Sequence, residues 1–400
     1  MLLDWELTDL KQNLIARLDG RRGGGWVELG SNAGRAAFCP LSIEDPAYQI
    51  AEAVKTLLRI TLRDPRDGWS LPLFIGRVTI PETKDGKDGE QLGLSARDPF
   101  FHLSRLLVRQ VTGSVWEART FKAIEQELIM WSLIENAPAS HGIIKGALSA
   151  SGVKRDRTYP PTKEIALAIQ QMAEVINGPD FEVQPIVAAD GTFARFNTFY
   201  PQQGSDKTGS VKFIHRREPN GTTEFNLAPA GDDICNRCVA VGAPIQEPSE
   251  GSPYGIYPGY VAEHAASIAA YGAWERRVQF EDVKETATLQ AHAQAVVAAS
   301  AFPIPHFDYT AAPERASDET GDGVPPIFGR DYWLNDLVRC EAHLPQLADP
   351  LVLDGRVVDA KVTEDESTGQ LKVKTGCSIL VSSAGLTGQA ITLKIPEGLE

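Results

Sequence analysis

The sequence predicts an α+β chain made of two small β-barrels, a helix-containing α/β middle domain and an inserted helical unit. Three observations carry this. Short apolar runs cut by turn residues, the pattern of strands, fill residues 30–108 and return after residue 206. Between them the apolar period lengthens to three and four residues, the spacing of amphipathic helices. The 400 residues also exceed the roughly 250–300 at which a single core stops growing. The predicted units are 1–112 (first barrel), 113–205 (middle domain), 206–243 with 328–400 (second barrel) and 244–327 (insert).

In the first unit, the turns Arg63-Asp64-Pro65-Arg66-Asp67-Gly68 and Lys84-Asp85-Gly86-Lys87-Asp88-Gly89 frame strands at Leu71 to Val78 and Gln91 to Ala96. Asp98-Pro99, a capping residue before a proline suited to a first helical turn, predicts a short helix burying Phe101, Leu103, Leu106 and Leu107. Phe121, Ile124, Leu128 and Trp131 then predict a helix that ends before Asn136-Ala137-Pro138. A second helix, from Thr162, buries Ile165, Ile169, Met172 and Ile176 and stops at Asn177-Gly178-Pro179, with Gly178 in the left-handed conformation. A hairpin follows, Phe181 to Val187 against Thr192 to Phe199, turning through Asp190-Gly191 as a type I′ turn.

Strands resume at Ser210 to His215 and, past a polar turn at Pro219-Asn220-Gly221, at Ile234 to Val241. The Pro-, Gly- and Tyr-rich stretch 244–260 leads to a helix near Glu285 to Ser300 carrying Leu289, Ala293, Val296 and Val297. An acidic loop at Ala312 to Pro326 precedes strands around Tyr332 to Glu341, Arg356 to Val362 and Gln370 to Thr375. The return of β pattern in the second half suggests a duplication too diverged to show as identities.

Composition narrows the function. A formal charge of -14 without a Lys/Arg stripe argues against a nucleic-acid-binding surface. Asp4 and Glu6 stand where a secretory signal would be positively charged, and no apolar run reaches about 18 residues, so neither a leader nor a membrane anchor is predicted. Five scattered cysteines do not form a disulfide framework.

No catalytic, cofactor-binding or metal-binding residue is predicted. Cys235-Asn236-Arg237-Cys238 has zinc-site spacing but lacks a second ligand pair, and in a strand its thiols would point to opposite faces. Gly23-Gly24-Gly25 lacks the Lys-Ser/Thr of a phosphate loop and is expected to be a flexible turn. There is no GxSxG and no HExxH. Glu44-Asp45 and Glu364-Asp365-Glu366 are expected in solvent rather than across a glycosidase cleft. Tyr254, Tyr257, Tyr260, Tyr271 and Trp274 suit a subunit interface better than a sugar platform.

Certain segments resemble a family. Ala36 to Pro46, the strand Leu73-Phe74-Ile75-Gly76-Arg77-Val78, and Leu94 to Leu103 with its Asp-capped helix resemble, in that order, the first barrel of phage tail-hub proteins. His141-Gly142-Ile143-Ile144, the helix after Pro161 and Phe199-Tyr200-Pro201 with Gly204 are similar to the middle domain of siphophage minor tail proteins, and Asp354-Gly355-Arg356-Val357-Val358 to the strand returning to the second barrel. The family is related to contractile-tail hubs and type VI secretion spikes.

The resemblance implies a homotrimeric virion protein at the tail tip, assembled in the host cytoplasm. Its partners would be a distal tail protein ring, tail fibre or spike proteins and the C-terminus of the tape-measure protein. DNA would pass a neutral or acidic channel without specific binding. With no long extension past Glu400 for a peptidase or receptor-binding domain, such activities are expected on other proteins. The alternatives are a tail-associated cell-wall hydrolase and a sugar-binding tip module.

Overall fold

A computed structural model describes residues 1–379 apart from 19–23, 42–44, 87–88, 109, 113–114, 139–140, 176, 189, 216–223, 231–233, 246–254, 281–282, 303, 312–325, 344–349 and 366–370. The α+β class stands, but the described strands do not close into two barrels. They form one 13-stranded sheet, almost wholly antiparallel. Its main path runs from Glu224–Ala230 through Ile304–Ala311, Leu371–Ile379, Leu351–Glu364, Trp26–Gly30, Ala36–Leu41, Gly89–Arg97, Ser70–Gly86, Leu57–Arg63 and Leu2–Thr8 to Leu14–Arg17. Lys212–His215 and Leu337–Ala342 branch from it, paired in parallel with each other.

The junction is the 14-residue strand Leu351–Glu364. Its first part pairs with Leu337–Ala342 and its last part with Trp26–Gly30, while Leu371–Ile379 runs along the other edge. A register shift between Val357 and Asp359 marks the change of partner. Hydrogen bonding therefore passes without a break from the second half of the chain into the first. One core follows it, from Leu3, Trp5 and Phe74 to Phe213, Tyr309, Val357 and Cys377. Periodicity shows which face of a strand is buried but not which edge is paired, so it reads as two sheets what is one.

The glycine run is not a free turn. Gly24 donates to the Glu364 carbonyl (3.1 Å), Glu364 donates to that of Gly25 (3.0 Å), and Gly25 lies so close under Trp5 that a Cβ would meet the indole at 2.8 Å. Gly23 lies outside the described residues. Glu364 is accordingly a buried strand end rather than a solvated acid, and Asp365 pairs with Lys372 at 2.9 Å. Asp45 caps the helix Pro46–Ile50 through the Ala47 amide (2.8 Å); Glu44 and Glu366 lie outside the described residues.

The middle domain has its own core. The helix Pro99–Leu103 is capped by Asp98 as expected, but it buries Phe100 and Leu103; Leu107 is exposed, and Phe101 lies half-buried under Arg97 and Arg105. The next helix is shorter and differently phased. Phe121 and Ile124 belong to a strand, Arg119–Glu125, paired with Lys154–Tyr159. The helix is Gln126–Glu135, and it buries Ile129, Met130, Leu133 and Ile134 while Leu128 is exposed. The sequence pattern merged a strand and a helix because their apolar residues happen to continue one spacing.

The helix Ile165–Ala173 buries Ile165, Ile169 and Met172 as read, with Ile176 outside the described residues. At its end the left-handed residue is Asn177 (φ 58°), not Gly178. Gly178 is needed because a Cβ there would drive into the Met172 and Ala173 carbonyls. The hairpin Asp180–Pro185 with Ala194–Phe199 is present, and Ile143–Leu148 adds to it in parallel. Its turn is not type I′, which requires positive φ at both central residues. Gly191 has φ 86° but Asp190 does not, and Asp190 instead accepts the Thr192 amide (2.9 Å).

The insert is a satellite with a separate core, and it takes in Arg237–Val241, read from sequence with the second barrel, while Ile304–Ala311, read with the insert, belongs to the main sheet. The strands Gly259–Glu263, Arg237–Val241 and Glu275–Gln279 form a small sheet, with a helix Ala265–Tyr271 that the sequence did not reveal. The helix Thr286–Ser300 lays Leu289, Ala293 and Val297 on it. The turn at Pro219-Asn220-Gly221 and the loop from Ala312 to Pro325 lie outside the described residues; Pro326 lies within them.

Candidate assembly site

The sharpest polar constellation lies where the first half, the middle domain and the second half meet. Three left-handed backbone positions converge there: Asn32 (φ 51°), Gly204 (φ 88°) and Asn335 (φ 67°). Asn and Gly tolerate that region at the smallest cost. At Gly204 no side chain fits, because a Cβ would overlap the backbone of Asn335 and Asp336.

Around these turns the side chains satisfy one another. Arg35, 4% exposed, donates to the Leu73 carbonyl (3.0 Å) and pairs with Glu182. The same carboxylate accepts from the Trp333 indole (3.1 Å) and the Gln203 amide (3.2 Å). Asp180 accepts from Asn32 (2.8 Å) and the Gln203 backbone (2.8 Å), and Asn335 donates to Gln203 (3.1 Å) while accepting from Ser31 (2.7 Å). Asp336 accepts from the Ser205 and Trp333 amides at 2.7 and 2.8 Å. Arg356 clasps the Gln203 carbonyl (3.2 Å) and the Gln202 side chain (2.7 Å). Buried charge is tolerable when it is paired or well hydrogen-bonded; here Arg35 and Glu182 pair with each other, while Asp180 and Asp336 are held by neutral donors. The junction fixes the three parts as one body. Its carboxylates are engaged by donors.

Asp98 adjoins it. Burial pushes its carboxyl up to about 6, although it accepts the Phe101 amide at 3.2 Å. A carboxyl raised in the folded state favours folding in its protonated form, so this contribution is whole below about pH 4 and is lost as pH rises toward 6. Asp98→Asn, an equally good cap without the charge, is expected to raise stability at pH 7 by about 1–2 kcal/mol and to flatten the pH dependence between about 4 and 6. Urea melts of both proteins at pH 4.5 and 7 check this; a variant that is weaker at pH 7 contradicts it.

Beside the junction a groove of about 430 Å³ is lined by Glu28, Gly34, Arg97, Asp359, Lys361 and Lys374 among others. No Ser, Thr, Cys or His lines it, and its lysines are engaged, Lys361 with Glu28 (2.6 Å) and Lys374 with Asp308 (3.4 Å). Its carboxylates are Glu28 and Asp359.

The two cysteines of the CxxC do not face opposite ways. Only Cys238 lies in the strand, and Cys235, just before it, turns into the same core, where its thiol donates to the Arg237 carbonyl at 3.5 Å. Burial pushes the Cys238 thiol up to about 11. Among the described residues no three His, Cys, Asp or Glu are placed to hold a metal, and no helix is long and apolar enough to cross a membrane.

Of the aromatic cluster, Tyr257, Tyr271 and Trp274 are exposed and Tyr260 packs on the core of the insert; Tyr254 lies outside the described residues. Ile245, Ile256 and Val261, also exposed, lie on the same unit. Sequence pattern did not point to the junction, whose side chains come from five separate segments and carry no motif.

No protein-family model and no curated protein sequence matches the chain. Solved structures do. The tail protein from Neisseria meningitidis is 12% identical with a TM-score of 0.53, the match covering 94% of this chain and 97% of that one. The 43 kDa tail protein of prophage MuSo2 from Shewanella oneidensis is 11% identical with a TM-score of 0.54 and the same coverage. The chain has the fold of phage tail proteins. A prophage tail protein, gp18, from Listeria monocytogenes shares it at 10% identity and a TM-score of 0.50, over 93% of this chain and 94% of that one. The matches span nearly whole chains on both sides.

Proposed function

We propose that the chain is a structural component of a phage tail, forming a homotrimeric hub at the tail tip. The observation that supports it most is fold likeness to tail proteins over 94% of the chain. A second supports the duplication that a hub uses. Gly76-Arg77-Val78 in the first half and Gly355-Arg356-Val357 in the second are both strand segments in which the glycine lies under a phenylalanine, Phe74 and Phe307, each 2.5 Å from where a Cβ would stand. Both arginines reach backbone carbonyls, Val54 for Arg77 (3.1 Å) and Gln203 for Arg356 (3.2 Å).

Two related halves of the one sheet in each chain make six in a trimer. Such a ring matches a sixfold tail tube or distal ring on one side and threefold fibre or spike proteins on the other. The exposed aromatic and aliphatic residues of the insert then meet a neighbouring tail protein, and the tape-measure C-terminus and DNA occupy a channel that is neutral or acidic, in keeping with the charge of -14. We expect native mass spectrometry of the full chain to show a trimer, and a reconstruction of tails to place three copies at the tip. A stable monomer, a sixfold ring of this chain, or a channel lined mainly by Lys and Arg contradicts the reading.

A further inference from the structure

The insert has its own core and is joined to the second half by two chain crossings, so its seating on the middle domain rests on discrete contacts. One of them is chemically unusual. His292, on the helix Thr286–Ser300, is 3% exposed; its ring stacks on Phe280 with centroids 3.9 Å apart and planes 24° from parallel. Its Nε2 lies 3.2 Å from an Nη of Arg157, which is 5% exposed on the middle-domain strand Lys154–Tyr159. A guanidinium has only protons to offer and does not give them up. The imidazole must therefore be the acceptor, neutral, with its own proton on Nδ1. Among the described residues the other Nη of Arg157 is buried without a hydrogen bond, and His292 is the acceptor that faces this guanidinium.

We propose that this contact is a proton-controlled latch, in which a neutral His292 docks the insert on the middle domain and protonation releases it. Once protonated, Nε2 becomes a donor facing a donor, and two positive charges meet in a buried site. The charged groups around it reinforce this. Arg157 and Arg155 face it from the strand, and Arg155 lies near Gln126 (3.4 Å) and Tyr200 rather than shielding it. The helix Thr286–Ser300 carries no Asp, Glu, Lys or Arg of its own. Glu281 and Asp282 follow Phe280 in sequence and lie outside the described residues.

Burial, then Arg157 and Arg155, hold the docked imidazole down to about 3, against an ordinary value of 6.5. A group lowered in the docked state contributes fully above 6.5 and progressively less as pH falls toward 3. Docking should weaken about tenfold per pH unit in that window, roughly 100-fold by pH 4.5.

The test is hydrogen–deuterium exchange of the full chain from pH 7 to 4.5, corrected for intrinsic exchange rates, reading peptides from 286–300 and 154–159 with strands 57–63 and 371–379 as reference. Protection of the two interface peptides should fall by up to about 100-fold while the reference strands hold. His292→Gln, which keeps an acceptor and cannot titrate, should abolish the fall. Arg157→Gln, which removes the opposing cation, should reduce it. A fall of equal size in His292→Gln, no fall in the wild type, or simultaneous loss of protection in the reference strands overturns the proposal.

Discussion

Arg35→Ala is expected to destabilise the chain by about 3–5 kcal/mol, the scale for removing one partner of a buried ion pair. Glu182 would remain, with a side chain only 11% exposed, and would lose the one cationic partner it has among the described residues. Its other donors, the Trp333 indole and the Gln203 amide, are neutral and cannot offset a full charge. The Leu73 carbonyl would also lose a donor, and Trp333 the guanidinium lying 5.6 Å from its ring centre. Arg35→Lys should fall between, since an ammonium cannot serve Leu73 and Glu182 with the same fork. Adding Glu182→Ala to Arg35→Ala should cost less than Glu182→Ala alone, because the charge it removes is by then unpaired. Urea midpoints of the four proteins decide it; a loss below about 1 kcal/mol for Arg35→Ala would show that the junction is solvated and not a lock.

How much of this was legible in the sequence depends on the range over which each feature is determined. Local chemistry came through. Asp98-Pro99 starts a helix because a cap and a fixed φ act within four residues, and the strands around Phe74 and Leu94 declare themselves by alternation. Phase failed where two elements abut. The strand that ends at Glu125 and the helix that begins at Gln126 present apolar residues whose spacing runs on through the boundary, so Leu128 was assigned to the core in place of Ile129 and Met130. Pairing was out of reach, since nothing local says that Val362 lies beside Val27. The junction was hidden for the same reason. Arg35, Glu182, Gln203 and Trp333 are ordinary polar or aromatic residues until the fold brings them together. The family resemblance succeeded because the order of weak segments is itself long-range information.

Gly76 and Gly355 give the second large effect, and they separate a backbone constraint from a side-chain one. At Gly76 a Cβ would fall well inside contact distance of the Arg97 carbonyl and 2.5 Å from the Phe74 ring. Arg97 is paired in the sheet with both Ala36 and Arg77, so its carbonyl cannot retreat without breaking a ladder. Gly76→Ala should therefore cost about 3 kcal/mol or more, the upper end for overpacking a core. At Gly355 the obstacles are the Phe307 ring at 2.5 Å and the Cys377 Cβ at 3.0 Å. The nearest is a side chain that can turn, so Gly355→Ala should cost less, about 1–2 kcal/mol. It should also be partly rescued by Phe307→Leu, which clears the space above the new methyl, whereas Phe74→Leu should not rescue Gly76→Ala, whose clash with the backbone remains. Denaturant melts of the two single and two double variants check this. Equal costs at both glycines, or rescue at Gly76 by Phe74→Leu, would mean that the aromatic ring and not the Arg97 carbonyl sets the need for glycine in the first half.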